Sequence, residues 1–291
     1  MILLVGTVPI REMPLLEGFA EFKGEHIMVD DTNLPCTQGT SAMIAAAAIT
    51  CEYLRSGPPR AVVAGDIGEG TGSLLLYEFL IDRLVELHPE VLVLHYVLPN
   101  IGLMKEVVQA AENCPQKPIL LADAGSMYAV KAAGLAPKFD LMTPDATELA
   151  FLADPEATHP AYISKFFFET EVTSSLIESA YEHEGASRVL LIKGSTDYVV
   201  KEGKIVSTIP EPNLPELEAI GGTGDTITGM AAGFIHIGTE VEQAAILAAK
   251  SNRTAGLMAR PSPRTKVWEL IQHFPEVFKE NLYAWAGIRV S

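Results

Sequence analysis

AIGGTGDTITGMAAGF, residues 219–234, is the stretch that decides the fold, because three glycines and an aspartate stand directly before a run typical of a buried helix. Gly221, Gly222 and Gly224 permit backbone conformations closed to residues with a Cβ, and they let main-chain amides approach a phosphate closely. The helix that follows adds its partial positive end. In open parallel sheets, ligands bind where loops lead from strands into helix N-termini. We therefore predict an anion site at Gly221, Gly222, Thr223 and Gly224.

Asp225 stands at the edge of this glycine run and has two interpretations. A carboxylate would repel a phosphate unless it accepts a proton from a hydroxyl that attacks that phosphate. The same residue would also serve as an N-cap, stabilised by the helix end. The motif alone leaves catalytic base and cap equally open.

Short β-branched runs alternate along the chain with longer segments whose apolar residues recur every three or four positions. This alternation predicts an α/β fold, with a mostly parallel central sheet covered by helices on both faces. A Glu-Gly turn within residues 197–209 predicts a β-hairpin at one edge. The chain of 291 residues is expected to form a single domain over 1–291, with a peripheral C-terminal segment from about residue 261. The predicted strands are 2–5, 26–29, 61–64, 91–95, 118–121, 139–142, 189–193, 197–201 and 204–209.

The composition limits the classes of partner. A formal charge of −16 disfavours nonspecific binding to nucleic acid or to an anionic membrane, although local backbone amides and bound cations still allow a nucleotide. The three cysteines lack the spacing of metal or redox motifs, so we expect them to be reduced and structural. No signal sequence or membrane span is indicated, and a cytoplasmic enzyme is the expectation.

Two further stretches bear on nucleotide chemistry. In LIKG, residues 191–194, Lys193 is placed to reach a phosphate and Gly194 to admit a nucleotide to the backbone, and a solvated strand-end lysine is the alternative. In TPDATE, residues 143–148, Glu148 either forms a capping box with Asp145 or Thr143, or holds Mg²⁺ through water.

Taken together and in order, these motifs resemble the ribokinase-like superfamily, and most closely its NAD(P)H-hydrate dehydratase branch. The resemblance rests on the T-P-x-x-x-E turn, on L-I-K-G, and on G-G-T-G-D followed by Gly229; it is strong from residue 118 to about 260. It implies the three-layer α/β/α ribokinase-like fold.

The resemblance also implies an ATP- or ADP-dependent repair enzyme that phosphorylates the hydroxyl of a hydrated nicotinamide and eliminates the phosphate to restore NAD(P)H. Asp225 would be the base, the amides of residues 221–224 would hold the transferring phosphate, and Lys193 with Gly194 would border the adenine nucleotide. Relatives of this kind often assemble, so a homo-oligomer is expected.

This sequence departs from the branch at several points. The turn carries Asp145 where the family usually has a substrate-proximal histidine, and a family G-P-G-L-G loop is replaced by AGDIGEGTGS, residues 64–73. We predict that Asp145 and the loop residues Gly65, Asp66 and Gly68 lie near the substrate. Residues 1–35 and the strand-helix unit 91–114 do not align convincingly with the family.

Other polar residues at strand ends have weaker interpretations. Asp123 either faces the nucleotide and metal or caps the next helix. His95 ends the strand VLVLH where a ligand would bind, but a structurally satisfied histidine is the favoured interpretation. Asp30 and Asp31 are expected to form a strand-end turn.

Three functions fit these observations. The nucleotide-dependent hydrate dehydratase ranks first. A small-molecule kinase of the same fold, acting on a sugar, nucleoside or vitamin alcohol, ranks close behind because of Asp145 and the 64–73 loop. A noncatalytic nucleotide-binding module ranks third, since such a module could most easily lose Asp225.

Overall fold

An eleven-stranded mixed sheet forms the centre of the computed structural model, which describes residues 1–157 and 174–290. The strand order is β11-β10-β9-β8-β7-β6-β1-β5-β2-β3-β4. The strands are β1 (Ile2–Val8), β2 (Leu16–Lys23), β3 (His26–Val29), β4 (Thr32–Pro35), β5 (Arg60–Gly65), β6 (Val91–His95), β7 (Ile119–Asp123), β8 (Leu141–Met142), β9 (Val189–Ile192), β10 (Asp197–Lys201) and β11 (Lys204–Ile209).

The centre of the sheet is parallel and both of its edges are antiparallel. Strands β9, β8, β7, β6, β1 and β5 pair in parallel. The hairpin of β10 and β11 forms one edge, as predicted. At the other edge β2, β3 and β4 are all antiparallel. The sheet is therefore mixed rather than mostly parallel.

The difference arises because β2 and β4 carry weak strand signals. In LEGFAEFK of β2, glycine and two glutamates interrupt the β-branched pattern, and TNLP of β4 ends in proline. Both strands gain their order from pairing with neighbours, which a local pattern does not show.

Ten α-helices are described, and they cover the two faces of the sheet. They are α1 (Thr40–Leu54), α2 (Thr71–Leu87), α3 (Ile101–Glu112), α4 (Gly125–Ala132), α5 (Ala146–Ala153), α6 (Ser174–Glu182), α7 (Thr223–His236), α8 (Val241–Ala259), α9 (Val267–Ile271) and α10 (Phe274–Ala286). Alternate residues of β1 divide between the two sides: Ile2 and Leu4 pack with α1, α7 and α8, whereas Leu3 and Val5 pack with α2, α3 and α5. This three-layer α/β/α arrangement confirms the predicted architecture.

Two glycines let α7 pack directly on α1. A Cβ on Gly229 would lie 2.1 Å from the carbonyl oxygen of Met43, and one on Gly233 would lie 2.7 Å from Thr50 Cγ2. The residues of α1 from Thr40 to Cys51 are all buried. This close packing sets the position of the first turn of α7 relative to α1.

The C-terminal segment packs against the same helix layer. Phe274, Phe278 and Leu282 are buried in the cluster that contains α1 and α8. The assignment of one domain with a peripheral segment stays a prediction. Within the described ranges, every helix is too short or too polar to cross a lipid bilayer.

Candidate active site

The glycine run forms the mouth of α7. Gly222 is the N-cap residue at φ 99°, in the left-handed region, and no side chain of the described residues caps this helix end. A Cβ on Gly222 would lie 3.0 Å from Gln38 Cα and 3.2 Å from Ala42 Cβ. The hydroxyl of Thr223 donates to the carbonyls of Leu217 and Ile220, so this side-chain donor is already engaged by the backbone. The predicted anion role of Thr223 would therefore rest on its backbone.

Asp225 lies in the first turn of α7 and does not cap it. One carboxylate oxygen, Oδ2, accepts from the amide N–H of Gly39 at 2.8 Å, and Gly39 is the N-cap of α1. The other, Oδ1, lies 3.0 Å from Nε2 of His95. The carboxylate thus sits between the N-terminal ends of two helices, both of which favour its negative charge. The cap interpretation of Asp225 is wrong, and its role as base stays a prediction.

His95 is the residue whose importance the sequence did not reveal. It ends β6 with no exposed surface, and its Nδ1 lies 3.1 Å from Thr40 Oγ1. The imidazole is satisfied, as expected, but one of its partners is the candidate base itself. Burial alone would lower the pKa of His95, yet its bonds to Asp123 and Asp225 outweigh burial and raise that pKa to about 9. The one sequence signal was its position at the carboxyl end of a central strand.

Asp123 is the register partner of His95 on the adjacent strand β7. It is fully buried and accepts from the Thr228 hydroxyl at 2.6 Å and from the Lys193 ammonium at 3.0 Å. Burial opposes ionisation, but Lys193 and His95 hold the pKa of this carboxyl well below its usual range. Asp123 faces the cleft and is not the cap of α4, whose N-cap is Ala124.

Lys193 lies beside the glycine run. A Cβ on Gly224 would be 3.5 Å from its ammonium nitrogen, which places that charge next to the mouth of α7. Burial disfavours the cation, but Asp123, Glu148 and Asp225 together raise the pKa of Lys193 above its usual value. Lys193 is thus not a solvated surface lysine.

Glu148 and Asp145 form the capping box of α5. The amide of Asp145 donates to Glu148 Oε2, and the amide of Glu148 donates to Asp145 Oδ1, each at 2.8 Å. Thr143 does not take part, because its hydroxyl pairs with that of Thr228. Burial raises the pKa of Glu148 to about 7, and Asp123 and Asp145 add to this effect against the opposing pull of Lys193. Both acids also line the cleft, so the capping box leaves the metal hypothesis open.

A cleft of about 590 Å³ joins these residues. Gly194 borders it, and a buried arginine holds the turn in place: Arg253 donates to the carbonyl of Gly194 at 2.8 Å and to Asp197 at 2.7 Å. The structure brings together the predicted residues Asp145, Glu148, Lys193, Gly194, Thr223, Gly224 and Asp225 around this space, with Asp123 beside them.

The loop after β5 does not line the cleft. Asp66 accepts from the amides of Gly68, Glu69, Gly70 and Ser73 and from the Ser73 hydroxyl, at 2.9–3.0 Å. These donors outweigh burial and hold the pKa of Asp66 below its usual value. Asp66 therefore organises its own loop, and substrate proximity of Gly65, Asp66 and Gly68 stays a prediction. Asp30 accepts from the amide of Phe19, in keeping with a strand-end turn.

The sequence matches a family described as NAD(P)H-hydrate dehydratase over residues 85–272. This match includes the unit 91–114, which does not align convincingly by its motifs and which supplies β6 and His95. An uncharacterized protein of Methanocaldococcus jannaschii is 38% identical over 242 residues, which cover 82% of this chain and 100% of that protein.

Solved structures share the fold at low identity. A ribokinase-like superfamily protein from Enterococcus faecalis is 15% identical with a TM-score of 0.57, covering 99% of this chain and 88% of that one. Pyridoxal kinase from Staphylococcus aureus, in complex with AMP-PCP and pyridoxal, is 14% identical with a TM-score of 0.51, covering 87% and 86%. An ADP/ATP-dependent NAD(P)H-hydrate dehydratase from Bacillus subtilis, co-crystallized with ATP/Mg²⁺, is 19% identical with a TM-score of 0.50, covering 70% and 69%. The predicted ribokinase-like fold is confirmed.

Proposed function

Because the chain belongs to the NAD(P)H-hydrate dehydratase family, we propose that it is an ATP- or ADP-dependent dehydratase that restores NAD(P)H from its hydrate. The observation that carries this proposal is the placement of Asp225 at the mouth of α7, beside Gly224 and the ammonium of Lys193. This arrangement puts a proton acceptor, bare backbone and a buried cation at one end of a cleft.

The mouth of α7 and Lys193 would bind the terminal phosphate of the nucleotide. Gly224 presents backbone without a side chain, the helix end is partially positive, and Lys193 adds a full charge. Charge that develops on the transferring phosphoryl group would be stabilised by these groups. Gly194, fixed by Arg253, would border the rest of the nucleotide.

Asp225 would take the proton of the substrate hydroxyl. As the hydroxyl oxygen bonds to the terminal phosphorus, the bond from that phosphorus to the bridging oxygen breaks and the shortened nucleotide leaves. The phosphate ester then loses inorganic phosphate from one ring carbon and a proton from the neighbouring carbon, which restores the ring double bond. Asp225 would need only to accept the first proton.

The charges lining the cleft fit a divalent cation. Among residues 1–157 and 174–290, six carboxylates line it, those of Asp123, Asp145, Glu148, Asp197, Glu218 and Asp225, against the two cations Lys193 and Arg253. Lys193 pairs with Asp123 and Arg253 with Asp197, so a nucleotide tail would meet uncompensated negative charge. Mg²⁺, held by Glu148 through water beside Asp145, would supply the missing positive charge. It would neutralise the phosphates and help to position them.

A kinase for a small alcohol is the second candidate, because transfer of the phosphoryl group to a hydroxyl is the first step of both reactions. The exposed Asp145, at the position where the family usually carries a histidine, favours a substrate other than the hydrate. The two functions differ in product, since a kinase releases a stable phosphate ester.

Incubation with hydrated NADH, Mg²⁺ and ATP or ADP tests the proposal. We expect the dihydronicotinamide absorbance to return with release of one inorganic phosphate per nucleotide consumed. Asp225→Asn should lose this activity by at least about 100-fold, whereas Asp82→Asn, an exposed aspartate on α2, should not. Nucleotide consumption with a stable phosphorylated alcohol would favour the kinase. No turnover with either nucleotide and a panel of alcohols would reject both.

A further inference from the structure

Four ionisable side chains form a string of alternating charge at the cleft, and three of them, Asp123, Lys193 and Asp225, line it. Lys193 Nζ lies 3.0 Å from Asp123 Oδ1, Asp123 Oδ2 lies 3.6 Å from His95 Nε2, and the same nitrogen lies 3.0 Å from Asp225 Oδ1. The string runs from the cation beside the glycine run to the candidate base. His95 is therefore shared by two carboxylates, and its nearer partner is Asp225.

Burial makes these partners obligatory. His95 and Asp123 are buried, so water cannot readily replace a lost partner of either side chain. In the part of the chain that the structure describes, the charged groups that face the imidazole are Asp123 from β7 and Asp225 from α7, with Lys193 beyond Asp123. The centroid of the Tyr96 ring lies 4.7 Å from that of the imidazole. The other ring nitrogen, Nδ1, is hydrogen-bonded to Thr40 Oγ1 on α1. A proton on Nε2 must consequently point to one of the two carboxylates.

We propose that His95 is a positioning residue for Asp225, which it holds at Oδ1 in the free protein and releases toward Asp123 when a nucleotide phosphate engages Lys193. The proposal rests on the proposed function.

The coupling has a simple electrostatic cause. In the free protein, Lys193 compensates the charge of Asp123 and leaves His95 to Asp225. Phosphate oxygens beside Gly224 would share the ammonium of Lys193 and weaken its hold on Asp123. Asp123 would then attract the imidazole more strongly, across a gap that is already 3.6 Å. Oδ1 of Asp225 would lose its donor and become free to accept the hydroxyl proton. Asp225 would therefore be free to accept a proton only when the phosphoryl donor is bound.

Kinetics of two His95 variants test the positioning role. His95→Leu is similar in size but donates no hydrogen bond, and we expect kcat to fall by roughly 100-fold while the KM for nucleotide changes less than about twofold. His95→Gln retains an N–H donor and should recover at least about tenfold of that loss. His183→Gln, near the end of α6, serves as the matched control and should leave both constants unchanged. If His95→Gln is as impaired as His95→Leu, the positioning role is overturned.

Magnetic resonance of ¹⁵N-labelled histidine gives a test without turnover. In the free protein the His95 ring should stay protonated to about pH 9. In Asp225→Asn the titration midpoint of His95 should fall by at least about one pH unit, because a neutral amide replaces one of the two carboxylates that stabilise the imidazolium. Saturating AMP-PCP with Mg²⁺ should move the Nε2 signal in the parent chain and leave it in place in Lys193→Met.

The outcomes separate this proposal from the proposed function. Calorimetry first establishes whether AMP-PCP binds, and absence of binding counts against the proposed function. The titration of His95 in Asp225→Asn needs no nucleotide, so it tests the pairing of His95 with Asp225 in either case. If the nucleotide binds and the Nε2 signal does not move, the release toward Asp123 is refuted. If the midpoint of His95 is the same in the parent chain and in Asp225→Asn, the pairing is refuted.

Discussion

The ammonium of Lys193 lies 3.0 Å from the carboxylate of Asp123, although the two residues are 70 positions apart: Asp123 ends β7 and Lys193 follows β9. Both side chains are nearly buried, with exposed fractions of 15% and 1%. Each buried charge is consequently compensated by the other, and removing either one would leave its partner as an uncompensated buried charge. Lys193 also stands beside Gly224, so the same pair serves stability and the candidate phosphate site.

Replacing Lys193 with methionine should therefore affect both properties. The free energy of unfolding should fall by about 3 kcal/mol, because Asp123 would be left as a buried charge without its cation. The KM for nucleotide should rise at least about tenfold through loss of a charged bond to phosphate. Chemical denaturation and steady-state kinetics measure the two effects.

A second substitution separates these effects. In Lys193→Met with Asp123→Asn, stability should partly return while the KM stays high, since the buried charge is gone but the phosphate ligand is still missing. Lys117→Met, at an exposed position, is the control for loss of a lysine. An unchanged KM in a folded Lys193→Met variant would contradict the phosphate role.

Gly222→Ala should destabilise the protein more than Gly57→Ala does, because it also disturbs the mouth of α7. Both glycines have positive φ, 99° and 82°, so each alanine costs about 1–2 kcal/mol of backbone strain. Only at Gly222 would the new Cβ also crowd Gln38, Ala42 and Val267, whereas the space around Gly57 is open. We expect about 1–3 kcal/mol more destabilisation at Gly222 and a higher KM for nucleotide. Equal stability of the two variants in urea unfolding would show that the crowding is absent.

Asp66→Asn should destabilise the protein in a pH-dependent manner. An amide group cannot accept from all the donors that surround Asp66, and the loss should cost about 1–3 kcal/mol at pH 7. The pKa of Asp66 in the folded state lies below its ordinary value of 3.8, so its contribution to stability is complete above that value and is lost as the pH falls through the folded pKa. The difference between the parent and the variant, followed by urea unfolding, should shrink below about pH 4. A constant difference down to pH 2 would disagree with this account.

Arg253→Met should loosen the turn at Gly194. The guanidinium binds Asp197 and the carbonyls of Gly194, Pro210 and Pro212, so its removal should cost about 3–5 kcal/mol. In a double-mutant cycle with Asp197→Asn, the coupling energy should exceed about 1 kcal/mol. The exposed pair of Arg83 and Glu86 is the matched control and should give less than about 1 kcal/mol. Similar coupling energies for the two pairs would argue against the buried contact.

Three features could be predicted because each depends on residues that are neighbours in the sequence. They are the glycine run, the hairpin of residues 197–209 and the alternation of strands and helices. A left-handed N-cap needs glycine, a two-residue turn needs glycine, and a buried strand needs a short apolar run. The opposite reason explains why strands β2 and β4 are not predicted. Their residues have little strand preference of their own, and pairing with β5 and β3 orders them.

The sequence by itself determined the glycine-rich helix mouth with Asp225 in its first turn, the layers of an α/β fold and the resemblance to a family. Only the tertiary structure decided that His95 contacts Asp225, 130 positions away, and that Asp66 satisfies its own loop. The physical reason is that local patterns specify which face of an element is buried, whereas strand order and the close packing of α7 on α1 specify which strand ends meet. The order β7-β6-β1 brings His95 beside Asp123, and the glycines of α7 bring Asp225 to both.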